Sequence, residues 1–102
     1  MVRGREGERV EKILLYKSKS CTRCPIAKFI LSRVLTSKGL SYQDVVVERD
    51  TESDPEAMAE LLMLDAMQTP VLKAGKTVVR EEDALKEGIV RDAVEDWMAS
   101  NA

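Results

Sequence analysis

Both cysteines of the 102-residue chain fall in one tetrad, Cys21-Thr22-Arg23-Cys24. Two thiols at this spacing can close a disulfide, exchange it with another disulfide, or contribute to a metal site. The chain contains no histidine, which excludes histidine-activated nucleophiles and histidine metal ligation. A mononuclear zinc would need two further strong ligands, and only a dimer could assemble four cysteines around it. With no cysteine elsewhere there is no disulfide framework, so the pair acts locally and reads as a dithiol redox site.

The elements on either side of the tetrad decide what those sulfurs can do. Residues 13–16 form an apolar run with the length of a buried strand, and residues 25–38 carry helical periodicity, which places the dithiol in a strand-to-helix turn. Unpaired N–H groups and a partial positive charge at a helix start favour the thiolate, the form that attacks disulfides. Lowering a thiol pKa by two units takes about 2.7 kcal/mol. A helix terminus alone supplies roughly 0.3 to 2 kcal/mol. Hydrogen bonds or cations must therefore add to it, and Lys17, Lys19 and Arg23 are the cations nearest in sequence.

A chain of this length supports one domain with one modest core. Its acidic and basic residues nearly cancel, for a net charge of −2, and are interspersed. Nucleic-acid binding, which wants a segregated basic face, gains no support. No apolar run approaches a bilayer span, and residues 1–12 lack the apolar segment of a secretory signal. We therefore expect a soluble, cytoplasmic protein with no membrane or nucleic-acid partner. Residues 1–8, rich in charge and glycine, are expected to form a mobile leader, and residues 9–102 the single domain.

The near-continuous run Ile13, Leu14, Leu15 and Tyr16 is expected to be a central strand covered on both faces. In the following helix, Ile26, Phe29, Ile30 and Val34, widened by Leu31 and Leu35, form the apolar stripe, opposite Lys28, Ser32 and Thr36. Lys38-Gly39 ends it with a left-handed cap. Tyr42, Val45, Val46 and Val47 read as a second strand, parallel to the first across the helical crossover, with residues 48–53 a polar loop. Asp54-Pro55 starts a second helix. Met58, Leu61, Leu62 and Ala66 are its expected buried face, and its methionines, Met63 included, read as core filling. Pro70 opens or edges the next strand, and Gly75 supplies a positive φ to the hairpin into residues 77–79. An acidic loop at 81–83 precedes a last helix, begun or bent at Gly88, with Ile89, Val90, Val94, Trp97 and Met98 facing inward.

This order, strand, CxxC, helix, strand, helix, Thr-Pro strand, strand, helix, resembles the thioredoxin fold over nearly all of the chain after Arg9. The resemblance implies an α/β architecture: a four-stranded mixed sheet in the order β-α-β-α-β-β-α, with helices on both faces. Tyr16 five residues before the first cysteine, and Cys21-Thr22-Arg23-Cys24-Pro25-Ile26-Ala27-Lys28 matching CxxCxxAK, look like the glutaredoxin branch. A thioredoxin proper would carry tryptophan where this chain has Ser20 and a buried acid where it has Leu15. The family pattern implies that Cys21 is the exposed nucleophile, Cys24 the resolving thiol, and Thr69-Pro70 a cis peptide facing them. Such a backbone edge can pair with an extended substrate.

The chain departs from glutathione-using glutaredoxins. Gln68-Thr69-Pro70 stands in place of Thr-Val-Pro, and Val79-Arg80-Glu81-Glu82 in place of a Gly-Gly-acid signature. Gln68, the Thr22-Arg23 centre and the Ala74-Gly75 turn look more like the small redoxins that serve ribonucleotide reductase. The resemblance thus implies a dithiol-disulfide oxidoreductase of electron transport and cell redox homeostasis, acting as a monomer on protein disulfides. No bound cofactor is expected beyond the redox-active disulfide, with glutathione or a flavoprotein reductase as the external electron donor. Arg23, Lys19, Tyr16, Gln68, Thr69 and Pro70 are the candidate substrate-binding residues. The alternative from another class is a binding module holding a metal or iron-sulfur cluster between two chains through the CxxC cysteines.

Overall fold

Strand β1 (Ile13–Lys17) is the inner strand around which the sheet is built. It pairs in parallel with β2 (Val46–Asp50), Leu15 opposite Glu48, and antiparallel with β3 (Val71–Ala74), Leu15 opposite Leu72. β3 pairs antiparallel with β4 (Thr77–Arg80). The result is an α/β fold on a four-stranded mixed sheet of order β2-β1-β3-β4. The computed structural model describes residues 11–100; the leader expected over 1–8 lies outside them.

Alternation along the strands divides the core between two faces. Ile13 and Leu15, with Leu72, Ala74 and Val79, pack under α1 (Cys24–Ser37) and α4 (Glu87–Ser100). Leu14 and Tyr16, with Val71 and Val78, form the opposite face and meet Leu61 of α3 (Pro55–Met63). The expected element order, with helices on both faces, is therefore present. It carries two additions: a short helix α2 (Tyr42–Val45) and a 3-10 turn (Glu81–Leu85) in place of the acidic loop.

Several boundaries and faces differ from the sequence reading. Tyr42 and Val45 belong to α2, and the strand expected to begin with them starts at Val46 and runs through Glu48, Arg49 and Asp50, three residues of the expected loop. The charges are tolerated because β2 is an edge strand. Helix α1 buries Cys24, Ala27, Leu31, Val34 and Leu35, a stripe of helical period, so Ile26 and Phe29 point outward at 51% and 61% exposure. Ile89 likewise lies outward on α4, while Val90, Ala93, Val94 and Trp97 are buried.

The largest correction concerns α3. Asp54 caps it as expected, accepting from the Glu56 N–H at 3.0 Å, but only Ala57 and Leu61 of the helix are buried. Met58, Leu62 and Met63 are exposed, and so is Met67 beyond the helix end, so these methionines do not fill the core. Ala66 is buried, but after the helix has ended.

The turns follow their expected chemistry. At the end of α1, Gly39 takes φ 76° and donates its N–H to Thr36 O at 3.0 Å, while Leu40 N–H reaches Leu35 O at 2.9 Å. A β-carbon at Gly39 would meet nothing within 4 Å, so Gly39→Ala isolates the backbone cost. We expect a loss of about 1 kcal/mol in urea unfolding, the usual penalty for a side chain in the left-handed region. An unchanged midpoint would show that the turn relaxes to another conformation. Gly75 supplies the hairpin's positive φ of 64°.

Candidate active site

β1 ends at Lys17 and α1 begins at Cys24, so the tetrad lies at the carboxyl end of an inner strand, in the loop that feeds the helix. Cys21 N–H donates to Ser18 O at 3.2 Å and turns that loop back on itself. The two sulfurs are joined, with α-carbons 5.5 Å apart. Cys24 opens the buried stripe of α1 and is only 5% exposed, whereas Cys21 is half-buried and faces outward clefts.

Opposite the dithiol, the Thr69–Pro70 peptide is cis and leads directly into β3. Cys21 Sγ lies 3.4 Å from the Thr69 carbonyl oxygen, to which Arg23 Nη2 donates at 3.3 Å. The Thr69 and Ser18 hydroxyls are 3.2 Å apart. Cys21, Arg23, Gln68 and Thr69 therefore line one cleft, with Pro70 buried.

That first cleft, of about 440 Å³, has a lining of mixed character. Met58, Leu61 and Met67 are its apolar lining residues, and Ser18, Ser20, Thr51 and Glu52 are among its polar ones. Thr51 is buried and donates both its N–H and its hydroxyl to Lys17 O, at 2.9 and 3.2 Å, which ties the end of β2 to the end of β1. The tie delivers Glu52 to the dithiol loop. Its carboxylate accepts from Ser20 N–H at 2.8 Å and from the Ser20 hydroxyl. These Ser20 bonds, side chain first, hold the carboxyl below its ordinary range.

A second cleft of about 270 Å³ opens on the other side of the pair, between Leu15, both cysteines, Pro25, Lys17, Lys19, Lys28 and Glu48. Glu48 gathers Lys17 at 2.9 Å, Lys28 at 3.0 Å and the Tyr42 hydroxyl at 2.7 Å. Burial pushes the Glu48 carboxyl up, but the hydrogen bonds from Tyr42, Lys17 and Lys28 more than offset it and hold it down at about 2. The hydrogen bond to Glu48 raises the Lys17 ammonium in turn.

The cations named from sequence thus have different situations. Lys17 is engaged by Glu48, Lys19 stands exposed at the second cleft, and Arg23 is fixed beside Cys21. Tyr16 is not brought to either cleft. It is 2% exposed and its hydroxyl donates to Glu60 at 2.9 Å, while Arg49 grips the same carboxylate at 3.1 and 2.7 Å. Burial, together with that hydrogen bond, pushes the Tyr16 phenol up to about 12.

Sequence reasoning missed Glu48, Glu52, Lys28, Met58 and Met67 as site residues. Only Lys28 had a local signal, its place at the end of CxxCxxAK. The two glutamates sat in a stretch read as loop, where register could not be assigned.

Searches against family models, curated proteins and solved structures find no match to this chain. Among the described residues, no three or more Cys, Asp or Glu side chains gather as a metal-binding group, and no helix is long and apolar enough to cross a membrane.

Proposed function

We propose that the chain is a dithiol-disulfide oxidoreductase of the thioredoxin-fold, glutaredoxin-like kind, reducing protein disulfides in the cytoplasm. The observation that carries this reading is the unequal exposure of two joined sulfurs at a helix start, the outer one 3.4 Å from the carbonyl before Pro70. The element order and the sheet order support the same assignment.

The chemistry follows from that asymmetry. In the reduced protein, Cys21 thiolate attacks one sulfur of a substrate disulfide, forming a Cys21–substrate bond and expelling the other substrate sulfur as a thiolate. Cys24 thiolate then attacks Cys21 Sγ, forming Cys21–Cys24 and releasing the second substrate thiolate. Two electrons pass from the dithiol to the substrate, whose thiolates take up two protons. A separate two-electron donor, a reductase dithiol or a pair of small thiols, returns the protein to its starting state. The 5% exposure of Cys24 speaks against the rival reading in which both sulfurs bridge a metal between two chains.

The test is reduction of insulin by dithiothreitol with and without catalytic amounts of the chain. Accelerated precipitation of the insulin B chain is the expected result, and a rate equal to the uncatalysed one overturns the reading. Replacing dithiothreitol by glutathione with its reductase, or by a flavoprotein thioredoxin reductase, then separates the two donor classes.

A further inference from the structure

The first cleft holds a carboxylate that the exchange steps do not use. Glu52 is placed by the Thr51 tie to β1 and by its bonds to Ser20, so it stands in the cleft lining beside the residue that precedes Cys21. Its partners are hydroxyl and N–H groups, and no described Lys or Arg pairs with it. Glu48, one cleft away, is clamped by two lysines. A carboxylate with a pKa below its ordinary range stays charged at neutral pH, so Glu52 leaves this part of the lining negative.

Arg23 also borders the cleft, but its position differs. It shares the Thr69 carbonyl with Cys21 Sγ, at 3.3 and 3.4 Å, and so is held near the reacting sulfur. The cleft is therefore polarised: positive near the sulfur, negative where Glu52 meets Ser20, within the same lining. Met58 and Met67, exposed in the same lining, offer thioether surface suited to apolar side chains of varied shape.

We propose that Glu52 is a specificity-determining residue. It makes this cleft prefer disulfides flanked by basic and apolar groups over disulfides flanked by carboxylates, of which glutathione disulfide is the small-molecule example. This inference rests on the dithiol reading and names the substrate class of that site.

The test compares three small disulfides reduced by the full chain under one donor: cationic cystamine, neutral bis(2-hydroxyethyl) disulfide and dianionic 3,3′-dithiodipropionate. The ratio of kcat/KM for cystamine to that for the dianion cancels any change in thiolate reactivity. Wild type is expected to favour cystamine. In Glu52→Gln, which keeps a group able to bond Ser20, the ratio should fall roughly fivefold, the combined size of the cation's lost attraction and the dianion's relieved repulsion across a wet cleft. The same charge change at Glu56→Gln, exposed on the first turn of α3 and outside the cleft, should leave the ratio where it was.

An unchanged ratio in Glu52→Gln, with the neutral disulfide still turned over, overturns the inference and leaves the dithiol reading standing. An equal fall in Glu56→Gln also overturns it, since the effect would then belong to net charge. Failure of wild type to reduce even the neutral disulfide overturns both.

Discussion

Cys21→Ser should lose disulfide reduction by at least about a thousandfold, because the attacking thiolate is the one group for which a hydroxyl at neutral pH is no substitute. Cys24→Ser should behave differently. Its first attack is intact, but the adduct has no neighbouring thiol to displace the substrate, so a mixed disulfide on Cys21 accumulates. Non-reducing electrophoresis and mass spectrometry of the variant after exposure to an oxidised protein measure this directly. Exposure sets the order of the roles: Cys21 is half-buried and faces two clefts, whereas Cys24, the first residue of α1, is only 5% exposed. If Cys24→Ser gathers no adduct while wild type is active, or if the adduct forms on Cys24 in Cys21→Ser instead, that order is wrong.

Glu48→Gln should shift the dithiol–disulfide equilibrium by about tenfold toward the dithiol, equivalent to a rise of about 30 mV in reduction potential. Lys17 and Lys28 converge on Glu48 in a cleft that both cysteines line, so in wild type one negative charge offsets part of theirs. Removing it raises the net charge beside the sulfurs by one, favours the thiolate, and lowers the pKa of the more reactive thiol by about one unit. Redox titration against glutathione and the pH dependence of thiol alkylation read the two effects separately. A potential and an alkylation profile identical to wild type would mean that solvent in the cleft screens Glu48 from the sulfurs.

The same substitution has an acid-stability signature. Glu48 titrates at about 2 in the folded chain against an ordinary 4.5. Its folded-state value is depressed, so its contribution is complete above about 4.5 and is lost as the pH falls through about 2. Lys17 and Lys28 are 38% and 54% exposed, and solvent screening reduces the contribution to about 1–2 kcal/mol. Wild-type urea midpoints should therefore fall across that range more steeply than those of Glu48→Gln.

The elements most legible in the sequence were those with local causes. Cys21-Thr22-Arg23-Cys24 between an apolar run and a helical period, Gly39 and Gly75 at positive φ, and Asp54 as a cap each depend on a few adjacent residues. What was not legible depends on neighbours remote in sequence. Phe29 outranks Ala27 on any apolar scale, yet Cys24 and Leu31 share a stripe with Ala27, so the small residue faces the core. Glu48 is a strand residue only because the edge position of β2 leaves its charge room, and it became a site residue only through its register opposite Leu15. Met58 reads as core because thioethers pack well in cores, and nothing in its spacing says that the cleft takes it instead.

Trp97 closes the far end of the sheet. Its indole N–H donates to Glu11 O at 2.8 Å, and its ring lies against Gly75, with Cδ1 4.0 Å from where a β-carbon would be. The strand β3 separates Gly75 from Pro70 and the dithiol, a distance of roughly 15 Å at the usual rise per residue. Disulfides extinguish indole emission on contact, and here the chain's one tryptophan is held out of reach of its one cysteine pair. Its fluorescence should therefore be nearly alike in the oxidised and reduced proteins and change only on unfolding. A single built-in chromophore can thus report the stabilities of both redox forms on one scale, and the difference between them gives the stability that closing the ring confers.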